Sequence, residues 1–268
     1  MIDKTFVKKS FNVGAATYDD NAGLQKRLLK SLLDFSGCAH MQPDRILDIG
    51  IGTANLSIRL AQLFPEAQVC GCDLAENMLQ RAEQKTASRK LQLFAADAEN
   101  LPLRAVSFNL AASSFTLQWL NNLDKAMRET ARILRPGGTF FFSAFGADTF
   151  HELRSCYHQA CTETGYDQGD ALVISLTRAA AEQALHAGGF AHIATESEKI
   201  IEYYDSVADL VRSIKGMGAR NASPRRNRTL GVRRIWRRMV ALYELRYGSR
   251  GRIPATYEVV KGRGIRPH

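Results

Sequence analysis

The chain has 268 residues, 45% hydrophobic and 24% charged, enough for one large α/β domain with an insertion or for two small domains. A formal charge of +9 and a pI near 9.5 leave three acidic partner classes open: nucleic acid, an anionic membrane or an acidic protein. The cysteines Cys38, Cys70, Cys72, Cys156 and Cys161 form no C-x-x-C pair, no uncharged apolar run could span a bilayer, and the start MIDKTFVKKSF lacks a signal peptide's apolar stretch; disulfide-stapled, zinc-ribbon and membrane-spanning classes are excluded, and a cytoplasmic protein with reduced thiols and no metal is expected.

The first 40 residues read as a helical arm. Leu24, Leu28, Leu29, Leu32 and Leu33 recur at helical spacing and the pattern stops at Gly37. The preceding FNVGAATYDDNAGLQ is too polar and aromatic for a plain linker. Its Tyr18 and Gln25 read either as a phenol capping the core and a solvated amide, or as part of an arm folded over a ligand.

Residues 46–60, ILDIGIGTANLSIRL, predict a strand, a tight Gly50-x-Gly52 turn and a helix whose free N–H groups face something bound over its start. A dinucleotide fingerprint would need a third glycine where Asn55 stands. Asp48, just before the glycines, is better placed for an ammonium than for a pyrophosphate. This order resembles motif I of class I S-adenosylmethionine-dependent methyltransferases, with Ala54 in place of that motif's third glycine. Ala fits the turn if its φ is negative.

Residues 67–72 predict a second buried strand ended by Asp73, which can accept from both ribose hydroxyls. A helix follows over 74–85, with Met78 and Leu79 packing over an adenine or over the sheet. A third strand, 91–96, stops at Asp97-Ala98-Glu99, and a fourth, 107–112, leads into Ser113-Ser114-Phe115. Asp97 suits an adenine amino group or the cap of a turn. In a doubly wound sheet, Asp48, Asp73 and Asp97 would converge on one crevice.

A helix over 126–134 stops at Arg135-Pro136-Gly137-Gly138, and 139–144 is the fifth strand; LRPGG before an aromatic strand is common in class I methyltransferases. Thr149 and Glu152 have capping-box spacing and open a helix through Thr164. Then come a helix over 178–187, a sixth strand over 192–204, helices over 209–215 and 230–247, and a seventh strand over 256–260, antiparallel at the sheet edge. The expected division is an arm (1–40), an α/β core (41–204), a basic helical insertion or lid (205–252), and a last edge strand with tail (253–268).

The insertion holds nearly all the excess charge. In its long helix Val232, Ile235, Trp236, Met239, Val240 and Tyr243 form an apolar stripe, while Arg233 with Arg237 and Arg234 with Arg238 repel at i, i+4. A solvated face is one reading and an acidic partner another. Nucleic acid would call for aromatics among the arginines, and here they lie on the apolar stripe.

Nearly end to end, the chain resembles the malonyl-[acyl-carrier protein] O-methyltransferase family of biotin synthesis. The resemblance rests on Phe11…Ala16-x-Tyr18 with Leu24-Gln25, Leu47-Asp48-x-Gly50-x-Gly52, Leu117-Gln118-Trp119 and Glu152-Leu153. It continues in Ser213-x-Lys215-Gly216-x-Gly218-Ala219 and Gly251-Arg252-x-Pro254-x-Thr256-Tyr257. It implies a seven-stranded, Rossmann-like sheet with a helical insertion before the last strand, and methyl transfer from S-adenosyl-L-methionine to malonyl on acyl-carrier protein, leaving S-adenosyl-L-homocysteine. Gln25, Asp48, Gly50, Gly52, Asp73, Leu74, Met78, Asp97, Ala98 and Ser113 would hold the cofactor. Tyr18, Gln118, Lys215 and Tyr257 are the catalytic candidates, with Lys215 or Arg220 choosing malonyl over acetyl. Trp119, Arg220, Arg233, Arg234, Arg237 and Arg238 are candidates for substrate and carrier. Rival expectations are a methyltransferase for a free small acid or RNA, and a non-methylating assembly factor on the same fold.

Overall fold

Ile46 and Leu47 are adjacent in sequence but belong to different cores. Ile46 packs with Leu32, Leu60 and Phe141, and Leu47 with Phe108, Met127 and Phe142, because successive strand side chains point to opposite faces. Both faces of the sheet are therefore covered, which is why these strands read as continuous apolar runs.

The structure is a computed structural model describing residues 2–89, 91–165, 176–216 and 230–268. Its order is α1 (Lys4–Gly14), α2 (Tyr18–Asn21), α3 (Gly23–Ser36), β1 (Arg45–Ile49), α4 (Asn55–Leu63), β2 (Gln68–Asp73), α5 (Glu76–Lys85), β3 (Gln92–Ala95) and β4 (Phe108–Ser114). There follow α6 (Leu123–Ile133), β5 (Leu134–Phe145), α7 (His151–Thr164), α8 (Arg178–Ala187), β6 (Ala191–Tyr204), α9 (Val207–Gly216), α10 (Leu230–Tyr247) and β7 (Ile253–Ile265). The seven strands form one sheet in the order β3-β2-β1-β4-β5-β7-β6. The first five pair in parallel and β7 runs antiparallel to both its neighbours. α3 and α4 cover one face, α6 and α8 the other.

The doubly wound seven-stranded sheet is the one expected, but β7 is not its edge. It lies between β5 and β6 and is buried along most of its length, whereas β6 alternates between partly and fully exposed positions. The Arg135–Gly138 stretch is not a free turn either. It opens β5 through a register shift, and Gly137 N–H donates to the Arg266 carbonyl at 2.8 Å while Arg266 N–H returns to Gly138.

Thr149 and Glu152 do not cap each other. Thr149 Oγ1 accepts from Glu258 N–H and donates to the Glu258 carbonyl, both at 3.1 Å. The buried Glu152 carboxylate accepts from Thr256 N–H at 3.2 Å and Thr256 Oγ1 at 2.5 Å. Both residues fasten α7 to β7, and the helix opens at Phe150 in a left-handed conformation. α7, α9, α10 and the start of α3 share a further core with Phe145, Phe150 and Tyr257. In α10 Ile235, Met239, Leu242 and Tyr243 are buried, and Val232, expected in that stripe, is exposed.

Candidate functional site

β1, β2 and β4 run parallel, so their C-terminal ends open on one side of the sheet, where the crevice of such folds lies. Asp48, 1% exposed, is the penultimate residue of β1. Its Oδ2 accepts from Ser57 Oγ at 2.6 Å, and its Oδ1 has no hydrogen-bond partner among the described residues. Burial, aided by the nearby Asp73 charge, pushes its pKa up to about 7, against the Ser57 hydrogen bond. Asp73 ends β2 and accepts from Gly52 N–H at 2.9 Å and Ala75 N–H at 2.8 Å. Burial raises its pKa despite these bonds.

The loop between β1 and α4 needs its glycines. At Gly50, φ +73°, a Cβ would lie 2.1 Å from Thr116 Oγ1. At Gly52, φ +52°, a Cβ would meet no atom within 4 Å. Ala54 does not have the negative φ expected of it. It stands at φ +65°, a conformation costing an L residue about 1–2 kcal/mol.

Two cavities open beside this loop. The larger, about 730 Å³, is lined by Asp73, Leu74, Met78, Asp97, Ala98 and Trp119, with Lys4, Phe11 and Tyr18 from the arm. The smaller, about 400 Å³, is lined by Gln25, Lys26, Asp48, Thr53 and Asn55. They share Tyr18, Gly50, Gly52, Ser114 and Phe115. The arm therefore folds over the crevice. Lys4 Nζ reaches Asp97 at 2.5 Å and Glu99 at 2.7 Å. Phe11 packs edge-on against Trp119 at 5.6 Å. Phe115, between the cavities, stands at φ +54°, uncommon for a bulky side chain, with its ring 4.5 Å from that of Phe145.

The structure thus brings Tyr18, Gln25, Asp48, Gly50, Gly52, Asp73, Leu74, Met78, Asp97, Ala98 and Trp119 together around two adjacent cavities with a shared wall. Ser113 lines neither. Its hydroxyl donates to the Ile49 carbonyl at 2.8 Å, sewing β4 to β1, and Ser114 lies in both cavity walls instead. Gln118 is buried outside both walls, with Nε2 donating to the Phe115 carbonyl at 2.7 Å. Tyr257 is buried in the neighbouring core between Phe145 and Phe150, its hydroxyl 2.6 Å from that of Tyr204. Lys215 is exposed near the end of α9, outside both walls. On α10 Arg233, Arg234 and Arg237 are exposed, while Arg238 pairs with Glu163 of α7. Arg220 lies outside the described residues. Lys4, Lys26, Ser114 and Phe115 escaped the sequence reading. Asn55, read there only as a missing glycine, in fact lines the smaller cavity.

A buried carboxylate oxygen without a partner calls for a cation or donor. A half-buried acid at the next strand end suits vicinal hydroxyls, and Leu74 with Met78 offers an apolar slab. Together they fit a nucleoside bearing a cationic amino acid. Among the described residues no cluster of three or more His, Cys, Asp or Glu could hold a metal ion, and no helix is long and apolar enough to cross a membrane.

A family model described as a methyltransferase domain matches residues 47–142. The chain is 40% identical over 267 residues to the malonyl-[acyl-carrier protein] O-methyltransferase of Geobacter sulfurreducens, spanning 99% of this chain and 100% of that protein. It is 38% identical over 281 residues to the protein of the same name from Laribacter hongkongensis, spanning 99% of this chain and 90% of that one. In fold it is similar to a phosphoethanolamine N-methyltransferase of Haemonchus contortus solved with phosphomonomethylethanolamine and S-adenosylhomocysteine: TM-score 0.60, 18% identity, covering 96% of this chain and 58% of that one.

Proposed function

Because the chain belongs to the malonyl-[acyl-carrier protein] O-methyltransferase family, we propose that it methylates the free carboxylate of a malonyl thioester carried on acyl-carrier protein, with S-adenosylmethionine as methyl donor. The observation that carries the reading is the buried Asp48 carboxylate, its Oδ1 without a hydrogen-bond partner among the described residues, in the wall of a cavity that shares lining residues with a larger one edged by Asp73 and Asp97.

When bound, the cofactor supplies an electrophilic methyl group on a sulfonium. Asp48 receives its ammonium, Asp73 its ribose hydroxyls, Leu74 and Met78 pack on its base, and Asp97 and Ala98 flank the base's edge. Tyr18 and Phe115, common to both cavities, form the wall beside the reacting centre and keep water out. Burial raises the Tyr18 phenol pKa above its usual value, so the phenol stays neutral and serves as a hydrogen-bonding wall rather than a base. None is required, because a malonyl carboxylate is already ionised at pH 7. The protein's work is alignment in a dry pocket.

Lys215 and Arg220 are proposed to select the malonyl carboxylate. Lys215 lies one residue from Gly216, where an added Cβ would fall 2.3 Å from Asn21 at the end of α2, so it borders the arm. Gln118 and Tyr257 act behind the wall, as supports of Phe115 and Phe145. The exposed Arg233, Arg234 and Arg237 are proposed to dock the acidic carrier, while Arg238 is tied to Glu163. Five free, buried cysteines support a cytoplasmic setting.

The test is transfer of labelled methyl from S-adenosylmethionine to malonyl-carrier protein, beside acetyl-carrier protein and malonyl-coenzyme A, at low and moderate salt. Label on the malonyl carrier and none on the acetyl carrier is expected. Binding of the cofactor with no label on any acceptor would overturn the reading.

A further inference from the structure

Asp19 follows Tyr18 in the arm and lines neither cavity, yet four donors converge on its carboxylate. Thr53 Oγ1 and Asn55 Nδ2 donate to Oδ1 at 2.9 Å each, and Lys85 Nζ donates to Oδ2 at 2.8 Å. Lys26 Nζ stands 3.3 Å from Oδ1 and donates to the Asp19 carbonyl at 2.8 Å. The donors are themselves linked, Asn55 to Thr53 at 3.1 Å and Lys85 to Asn55 at 2.6 Å. These bonds hold the Asp19 carboxyl well below the usual carboxylate range, so the clasp is ionic at any working pH.

The two loop donors are the neighbours of Ala54. Gly50 and Gly52 take positive φ freely, but Ala54 at φ +65° does not, and such a conformation persists only where its surroundings over-determine it. Ala54 N–H donates to the Ile51 carbonyl within the loop at 2.9 Å, and a further constraint comes from outside it, from a carboxylate on the N-terminal arm 34 residues away from Thr53. We propose that Asp19 is a positioning residue whose carboxylate, delivered by the arm, holds the glycine loop in its strained, cofactor-cradling shape, so that arm closure and loop shape are one cooperative event. The proposal rests on the reading of the cavities as an S-adenosylmethionine site.

Ala54→Gly relieves the strain without touching the clasp, so it separates holding the loop from any other duty of Asp19. S-adenosylhomocysteine affinity is measured by calorimetry in wild type, Asp19→Ala, Ala54→Gly and the double variant. Asp19→Ala is expected to weaken binding about tenfold in the wild-type background, the size of one left-handed residue's strain, and clearly less in the Ala54→Gly background. Equal losses in both backgrounds, or no loss, would overturn the proposal. Hydrogen exchange of the ligand-free full chain, run on Asp19→Asn as well in case the alanine variant folds poorly, tests the clasp without any ligand. Faster exchange over residues 50–56 in the Asp19 variants upholds it and unchanged exchange overturns it. A wild-type chain that fails to bind S-adenosylhomocysteine would instead sink the cofactor reading, and the exchange result would still decide the clasp.

Discussion

Asp48 is buried with one oxygen lacking a hydrogen-bond partner among the described residues, and its pKa of about 7 lies above the value of about 4 for an unfolded aspartate. Between those values the folded state holds more protons than the unfolded one, so this group's contribution to stability is full below about pH 4 and is lost as pH rises through about 7. A ligand ammonium reverses the preference by favouring the ionised form. S-adenosylhomocysteine binding should therefore expel a proton below pH 7, seen as a buffer-dependent enthalpy in calorimetry, and its affinity should climb from pH 6 to pH 8. Ser57→Ala removes the hydrogen bond that lowers this pKa; the affinity rise should shift to higher pH, with a loss near pH 7 of about 1.5–3 kcal/mol, that of a hydrogen bond to a charge. Unshifted profiles would dissociate Asp48 from the ammonium. Asp48, Asp73 and Asp97 were legible in the sequence because each closes an apolar run, and parallel strands bring such ends together. Ser114, and not Ser113, faces the cavities because successive strand side chains point to opposite faces. The strain at Ala54 and the duty of Asp19 were illegible because each depends on a partner distant in the chain.

Among the elements, helical spacing was legible, apart from Val232, which is exposed at the start of α10 where the stripe expects it buried, and long-range pairings were not. The leucines of α3 and the stripe of α10 follow from helical spacing, and Gly37 ends α3 at φ +65° as its sequence predicts. The capping-box letters at Thr149 and Glu152 were present, but the two side chains turn to β7 because the antiparallel strand offers them Thr256 and Glu258. That preference has a measurable size. Glu152→Ala would leave the buried Thr256 N–H and hydroxyl unpaired between α7 and β7, and a loss of about 3 kcal/mol is expected, read from the urea midpoint of the full chain. Thr256→Val should cost less, since it removes one of the two donors and leaves the carboxylate its bond to the backbone. Equal stability of Glu152→Ala and wild type would mean that the α7–β7 joint is held by its apolar contacts alone. The place of β7 inside the sheet was out of reach for a local reading, because it is decided by which strands pair along its two edges, β5 and β6.

At the scale of the molecule, unpaired positive charge among the described residues is concentrated on one face. The crevice at the strand ends mixes Asp48, Asp73 and Asp97 with Lys4, Lys8 and Lys26 of the arm, while exposed arginines crowd the start of α10 on the apolar core that joins α7, α9 and β7. Such a face destabilises the isolated chain through self-repulsion and pays only if an acidic partner meets it. Docking of this kind acts through long-range attraction, so it should raise the association rate and fade with salt. Replacing Arg233, Arg234 and Arg237 together by Glu should lower kcat/KM for malonyl-carrier protein by about tenfold or more at low salt, flatten its salt dependence, and leave S-adenosylhomocysteine affinity intact. Arg238→Ala supplies the internal contrast. Its guanidinium already pairs with Glu163, so it should change carrier turnover far less than any one of the other three. Were the triple variant to turn over carrier at the wild-type rate with an unchanged salt slope, the arginine face would be a solvated surface and the carrier would have to approach by the arm side, past Lys26 and Lys215. The two approaches are distinguishable in the same assay, because Lys26→Met and Lys215→Met would then carry the salt dependence that the α10 variant lacks.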